Sequence, residues 1–348
     1  MPNNLTLSAV SDILYRAQRV LICIHHNPDG DAAGSAFALA QMLRAMGKYT
    51  RVICADPIPK RLRFTLREQE EWLYTEGMET EYDLLCAVDT ASVGQLGALG
   101  HLADKIGVSI DHHGMGEVFC PAFVAPEASA AGESLFDLYR MWCEAGQMQP
   151  DADIARLLYT AIVSDTGSFK YSNTTKKTML AAAELMGEIQ TATDGGDDIP
   201  MLCHRLFECR TMTELRAQRA GIDALRLEHG GELGIVLFTQ QMLTDNGLTM
   251  EDIGNIIGLP RTVDGVKIAL AIKQSPEDPT TWRISSRANI DVDVSAVCAA
   301  FGGGGHKRAA GCSISAPDAD AALAIACEAF GRALEEAEET AYRTYRAL

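Results

Sequence analysis

The stretch Val20-Leu21-Ile22-Cys23-Ile24-His25-His26-Asn27-Pro28-Asp29-Gly30-Asp31 decides how this chain is read. An apolar run of strand length ends in a turn that carries the pattern His-x-x-x-Asp-x-Asp. Three more ends of apolar segments carry aspartate or histidine: Val88-Asp89-Thr90, Asp111-His112-His113 and Ser164-Asp165-Thr166-Gly167. One aspartate at a strand end is commonplace. Four such ends between residues 25 and 167 point to side chains that a fold gathers into one cluster.

Working outward, residues 19–24, 50–54, 84–88 and 108–110 read as buried strands, and residues 33–47, 132–146 and 153–164 as helices. Strands alternating with helices predict an α/β fold with a mostly parallel sheet over residues 1–185. Such sheets collect ligands beyond the carboxyl ends of their strands, where His25–Asp31, Asp89 and Asp111–His113 fall. Asp165 instead closes a predicted helix. Residues 186–215 read as a helical linker or hinge, with Asp194-Gly195-Gly196-Asp197-Asp198 as its best linker candidate. Residues 216–348 follow a new pattern and predict a smaller α/β domain. Its strands lie near 234–238, 266–273 and 281–287. A short helix, the run Gly302-Gly303-Gly304-Gly305-His306 and an amphipathic helix from 318 to about 338 follow.

At 348 residues, with 47% hydrophobic and 22% charged, the chain has ordinary globular composition and the length of two domains. No apolar run reaches the roughly 20 residues that span a bilayer, and the N-terminus lacks a signal-peptide pattern. The ten cysteines form no Cys-x-x-Cys pair, which fits reduced thiols and a cytoplasmic location. A formal charge of −17 repels a long polyanion, so long duplex nucleic acid and membranes are not expected partners. An anionic substrate should be small and held by local cations.

Hard divalent cations take carboxylate oxygens, and histidine shifts the preference from magnesium toward manganese or a similar ion. His25, Asp29, Asp31, Asp89, His112 and Asp165 are enough for two ions, with Asp89, from a central strand, as the candidate bridge. Two ions about 3.5–4 Å apart can activate a water and stabilise both oxygens of an in-line displacement at phosphorus. Pro28 should stiffen the first loop and Gly30 should let the chain turn between Asp29 and Asp31. Ala33-Gly34-Ser35 should open a helix whose N–H groups hold a phosphate oxygen. Blander readings stand beside these. An aspartate of the first loop can be a helix N-cap, and Asp89 can cap its strand. Asp111 reads as structural, orienting a neighbouring histidine. His26 reads as packing or surface and His101 and His229 as surface, while His204 stays open.

In the second domain, four glycines before His306 would let backbone N–H groups approach an anion as a nest, with Lys307 and Arg308 beside it. Ser285-Ser286-Arg287 offers a second phosphate clamp, with Arg287 as the bidentate donor. A flexible turn is the plain alternative for the glycines.

These motifs, in this order and over nearly the whole chain, resemble the DHH–DHHA1 phosphoesterases. The resemblance implies two manganese ions, with magnesium or another divalent ion as the alternative, in a cleft between a catalytic and a substrate domain. It implies that His25, Asp29 and Asp89 hold one ion, and Asp31, Asp89, His112 and Asp165 the other. His113 is then expected near the scissile phosphate. Ser286, Arg287, Gly303, Gly304, Gly305 and His306 are expected to grip the substrate. The compact form is similar to stand-alone members that degrade very short oligoribonucleotides and dephosphorylate 3′,5′-bisphosphate nucleotides. That implies pApA, pGpG and pAp as substrates, and relatives suggest a homodimer. A cyclic-dinucleotide phosphodiesterase with the same site is the closest alternative. A pyrophosphatase of the related DHH–DHHA2 group is disfavoured by the glycine–His run. A nucleotide sensor with a dead site would lack ligands, and all six are present. One departure from relatives is the turn Ser129-Ala130-Ala131-Gly132-Glu133, where Ser129 alone would supply a hydroxyl to substrate.

Overall fold

The computed structural model describes residues 4–66, 73–114, 116 and 118–347. They divide into two compact units, Met1–Cys209 and Arg210–Leu348, so the boundary falls inside the 186–215 connector.

The first unit runs α1 (Leu7–Arg16), β1 (Arg19–Cys23), α2 (Gly30–Ala45), β2 (Tyr49–Ile53), β3 (Leu84–Val88), β4 (Ile106–Asp111) and β5 (Ala122–Val124). Then come α3 (Ala131–Glu144), α4 (Ala152–Asp165), α5 (Lys176–Thr191) and α6 (Ile199–Cys203). Its five strands are all parallel, in the order β2-β1-β3-β4-β5. Alternation along β1 sends Val20 and Ile22 into the core that α2 shares, and Leu21 and Cys23 into a second core with Leu96, Leu99 and Leu102. From β1 the chain goes to β2 on one side and later to β3 on the other. That reversal opens a crevice at the carboxyl ends of β1 and β3.

Three local readings change. The short edge strand β5 has too few residues to show a period. Helix α2 starts at Gly30, not at Ala33, because the Asp29 carboxylate accepts from Asp31 N and Ala32 N (3.0 Å each). Ala33, Gly34 and Ser35 therefore lie buried within the helix, and Ala33 N–H donates to Asp29 O, so this segment offers no phosphate seat. The Asp194–Asp198 stretch does not hang free. Arg156 of α4 donates to both Asp194 carboxylate oxygens (2.8 and 2.7 Å) and to Asp197 O (2.8 Å), and its guanidinium lies where a Gly196 Cβ would be.

The second unit runs α7 (Met212–Asp223), β6 (Leu225–Glu228), β7 (Leu233–Phe238), α8 (Gln240–Asp245), α9 (Gly258–Arg261), β8 (Ile268–Gln274) and β9 (Thr281–Ala288). It ends with α10 (Val294–Ala299), β10 (Gly304–His306), β11 (Ala309–Ser315) and α11 (Ala319–Ala347). The sheet order is β10-β11-β9-β8-β7-β6, mixed, with only β7 and β8 parallel. Trp282, Ile284, Ile314, Phe330 and Leu334 fill one face of it. Among the described residues no helix is long and apolar enough to cross a membrane, and all ten cysteines are free.

Candidate metal centre

The crevice gathers all six predicted donors. His25 follows β1, and its Nδ1–H donates to His26 O (2.7 Å). Its Nε2 faces Asp89 Oδ2 at 3.5 Å and Asp29 Oδ1 at 3.8 Å. His112 follows β4 and directs Nδ1 at Ala128 O (3.4 Å). Its Nε2 faces Asp89 Oδ1 (3.5 Å), Asp31 Oδ2 (3.6 Å) and Asp165 Oδ2 (3.7 Å). The two oxygens of Asp89 thus look toward two different histidines. Three groups, His25–Asp29–Asp89, Asp31–His112–Asp165 and Asp89–His112–His113, each have donor atoms within 4.8 Å of one another.

These separations are too long for hydrogen bonds. They lie near the upper end of the spacing of donors around a divalent cation: atoms about 2.1 Å from an ion at angles near 90–120° stand about 3.0–3.6 Å apart. Asp89 Oδ1 is buried and has no hydrogen-bond partner among the described residues. Such an atom is costly unless something charged sits against it. Four carboxylates, one of them with an orphaned oxygen, and two imidazoles gathered in one crevice fit a pair of hard divalent ions.

The electrostatics point the same way. Burial, then the neighbouring Asp89, holds the Asp31 carboxyl well above its usual range, and burial lifts Asp165 to about 6. Burial opposes ionisation of Asp89, but the neighbouring His112 and His25 override it and keep its pKa low. Burial also opposes the charged histidines. Asp29 and Asp89 nevertheless raise His25 to about 11, and Asp89 and Asp31 raise His112 to about 10. Without a cation the cluster holds protons where positive charge is needed.

Backbone geometry aims the ligands. Asp89 (φ 54°) and Asn27 (φ 52°) are left-handed, a conformation disfavoured for residues with a Cβ and common at functional sites. Asn27 N–H is fixed by Asp56 Oδ2 at 2.8 Å. Gly30 serves close approach, not a turn. A Cβ there would collide with Ser164 Oγ, and its absence lets the first turn of α2 meet the last turn of α4, Asp31 beside Asp165. Past Asp165 three residues in succession are left-handed, Gly167, Ser168 and Phe169 (φ 55°, 61° and 63°). Thr166 Oγ1 holds them by accepting from Phe169 N (3.1 Å) while donating to Ile162 O (2.7 Å).

Asp111 is structural, as its place suggests. Its Oδ1 accepts from His113 Nδ1 (2.7 Å) and His112 N (2.8 Å). That bond is the main cause of the raised pKa of His113. His113 Nδ1 lies 3.6 Å from Asp89 Oδ1, but it is committed to Asp111, so the half-exposed ring borders the cluster and does not complete it. A cavity of about 290 Å³ opens beside His113, lined by Asn4, Ala91, Val118, Val124 and Pro126 among others. His26 packs against Gln95 O, His101 pairs with Tyr74, His204 with Glu208 and His229 with Cys327 O, all outside the cluster. Ser129 is completely buried and donates to Glu133 Oε2 (2.8 Å), so its hydroxyl does not reach a substrate. Asn173 carried no signal in the sequence, yet its Nδ2 lies against Asp165.

In the second unit Arg287 sits on β9, half-buried, with Ser286 O as a hydrogen-bond partner (2.9 Å). Burial, then the nearby Arg261, lowers its pKa, and no carboxylate among the described residues pairs with it. A guanidinium so placed suits an incoming anion. Ser286 differs from expectation: it is completely buried and donates to Ala310 O (3.0 Å). The glycine run is not a nest either. Gly302 N and Gly303 N donate to Ala299 O (3.0 Å) and Cys298 O (2.9 Å), and Gly304–His306 form the edge strand β10. Gly303 and Gly305 are needed because a Cβ would strike the β11 backbone at Gly311 O and Ala309 O. Gly303, Gly304, Gly305 and His306 remain exposed, while Lys307 pairs with Asp291 at 2.9 Å.

Comparison with known proteins gives the family and the fold. Residues 19–162 match the DHH family N-terminal domain and residues 234–332 the DHHA1 domain. The chain is 30% identical to the bifunctional oligoribonuclease and PAP phosphatase NrnA of Thermus thermophilus, over 92% of this chain and 89% of that one. It is 25% identical to the protein of the same name in Bacillus subtilis, over 88% and 92%. An exopolyphosphatase-related protein from Bacteroides fragilis has the same fold, with a TM-score of 0.80 at 22% identity over 95% of each chain.

Proposed function

Because this chain belongs to the DHH–DHHA1 family of phosphoesterases, we propose that it hydrolyses phosphate esters of very short oligoribonucleotides, such as pApA and pGpG, and of pAp. Two divalent ions, manganese in the first place, are its cofactors in this reading. The observation that carries it is Asp89, whose two oxygens face separate donor groups at 3.5 Å. Ions bound there would supply an activated water and charge stabilisation for displacement at phosphorus.

The side chains have distinct tasks. His25, Asp29 and Asp89 hold one ion; Asp31, Asp89, His112 and Asp165 hold the other. His113, oriented and kept protonated by Asp111, stands beside the cluster and donates to a phosphate oxygen. Arg287 takes a more distant phosphate through its unpaired guanidinium, and the exposed edge of Gly303, Gly304, Gly305 and His306 meets the same end of the substrate. Residues 1–185 are then the catalytic domain and 216–348 the substrate-binding domain, with 186–215 linking them. The net charge of −17 disfavours long polyanions, and the cavity beside His113 is at the small end for ligand pockets.

Turnover of pAp, pApA, pGpG, a five-nucleotide RNA and cyclic dinucleotides with manganese supplied tests this. The linear dinucleotides and pAp should be hydrolysed fastest. Cleavage of the cyclic forms ahead of the linear ones would move the assignment to a cyclic-dinucleotide phosphodiesterase, and no turnover of any of them would refute it.

A further inference from the structure

We infer that the turn of residues 128–133, fastened by Asn173 and Glu133, is the positioning frame of the Asp31–His112–Asp165 ion and not of its neighbour. The inference rests on the two-ion reading and gives positioning roles to Glu133 and to Asn173, which no motif marks.

Each ligand of that group is tied to the same six residues. His112 Nδ1 is aimed at Ala128 O (3.4 Å). The Asp31 carboxylate accepts from Ala131 N (2.7 Å) and Gly132 N (3.0 Å), the first N–H groups of α3, and from Ser35 Oγ (2.8 Å). A helix N-terminus favours a carboxylate in that place. Asp165 is reached through Asn173. Its Nδ2 donates to Ser129 O (2.9 Å) and Asp165 O (3.1 Å) and lies 3.4 Å from Asp165 Oδ2. The His25–Asp29 group is mounted differently. His25 is turned by His26 O, and Asp29 by the N–H groups of Asp31 and Ala32 in the first turn of α2, all within eight consecutive residues.

The frame is itself fixed from behind. Glu133 is completely buried, and its Oε2 accepts from Ser129 N (3.2 Å), Ser129 Oγ (2.8 Å) and Thr178 Oγ1 of α5 (2.8 Å). A Cβ on Gly132 would collide with Ala161 Cβ, so the start of α3 lies directly on α4. Asn173 satisfies two backbone carbonyls while its own Oδ1 is buried without a hydrogen-bond partner among the described residues. A buried unpaired acceptor is unfavourable. The residue therefore serves what its amide donates to, not its own hydrogen bonding. Asn173 and Glu133 are positioning residues: neither is a ligand, and both act through the turn.

Calorimetric titration with Mn²⁺, followed also by electron paramagnetic resonance, separates the outcomes. The unmodified protein should take up two ions. Asn173→Ala should weaken one of them about 10- to 100-fold, the usual effect of losing an outer-sphere partner, and leave the other within twofold. Asn173→Leu, which refills the volume without a donor, should behave like Asn173→Ala. Glu133→Gln should weaken the same ion. Retention of the unaffected ion reports that each variant is folded, and the partly exposed Asn173 pair decides the matter if the buried Glu133 variant does not fold. Equal loss at both ions, no loss at either, or restoration by Asn173→Leu overturns the inference. Failure of the unmodified protein to bind a second ion overturns the two-ion reading beneath it.

Discussion

Asp89→Asn is the sharpest perturbation of the site. Asparagine has nearly the same volume and tolerates the left-handed backbone that Asp89 adopts (φ 54°), so the turn after β3 stays intact while the charge goes. Asp89 is the one carboxylate that faces both His25 and His112, at 3.5 Å each, and its loss acts on both ions. Even outer-sphere partners are worth about 10- to 100-fold in affinity per metal, so a shared ligand should cost at least about 100- to 10,000-fold in the product of the two affinities. Calorimetric titration with Mn²⁺ reads this directly, and hydrolysis of pApA at fixed Mn²⁺ should fall at least as far. In the metal-free protein the same change removes the carboxylate that helps hold His25 near 11 and His112 near 10. Their ring resonances, titrated by NMR in chelator, should then move at lower pH than in the unmodified protein. Two ions bound with unchanged affinity, with hydrolysis within tenfold of normal, would show that Asp89 does not bridge.

The histidines also fix the sign of the pH dependence. His25 and His112 rise from 6.5 to about 11 and 10, so their stabilisation of the metal-free protein is complete below about pH 6.5 and fades as pH climbs toward 10–11. Asp31 and Asp165, held above their usual range chiefly by burial, act in the same direction at lower pH because the folded state keeps protons that the unfolded chain has released. Melting in chelator should accordingly start earlier at pH 9 than at pH 6.5, while Mn²⁺ affinity increases over that interval as ions displace protons; a flat or inverted pattern contradicts the protonated cluster. Gly30→Ala forces a methyl group into Ser164 and parts Asp31 from Asp165. It should destabilise by about 1–3 kcal/mol in urea unfolding and abolish most turnover, and unchanged stability would show that α2 and α4 do not touch there. Arg287→Ala should raise KM about 10- to 100-fold, the worth of a hydrogen bond to a charged group, and leave Mn²⁺ affinity alone. Arg287→Lys should not restore KM if recognition is bidentate, and an unchanged KM in either variant removes Arg287 from the substrate site.

Much of the first unit was legible because each of its elements is short and ends on chemistry. The runs before His25, Asp89 and His112 are β-strands or flank them, and the strand order brings their carboxyl ends to one crevice. The strand β5 was not visible, since three residues carry no period. Gly30 was noticed for the wrong reason: a sequence cannot tell a glycine that turns from one that lets two helices touch. The burial of Ser286 follows from the alternation of its strand. Along β9 burial alternates, and Ser286 shares a face with Trp282 and Ile284 while Arg287 takes the other. The glycine run misled because its first two N–H groups are used by the carbonyls at the end of α10, a partnership that appears only once that helix is placed.

The two halves of the centre differ in how they are mounted, and that difference explains which half the sequence disclosed in full. His25 and Asp29 are held by groups within residues 25–32, so one octapeptide contains both the ligands and what orients them. Asp31, His112 and Asp165 come from α2, the end of β4 and the end of α4, and they share only the 128–133 turn. Their letters are readable as ligands, but the buried carboxylate and amide that fasten the turn look like any other Glu and Asn until the chain has folded. A charge such as Glu133 is tolerable at full burial because three donors converge on one of its oxygens and Lys177 Nζ stands 3.5 Å from the other. Motifs therefore record the atoms that meet an ion, whereas the stiffness that keeps those atoms apart against their mutual repulsion is a property of tertiary contacts.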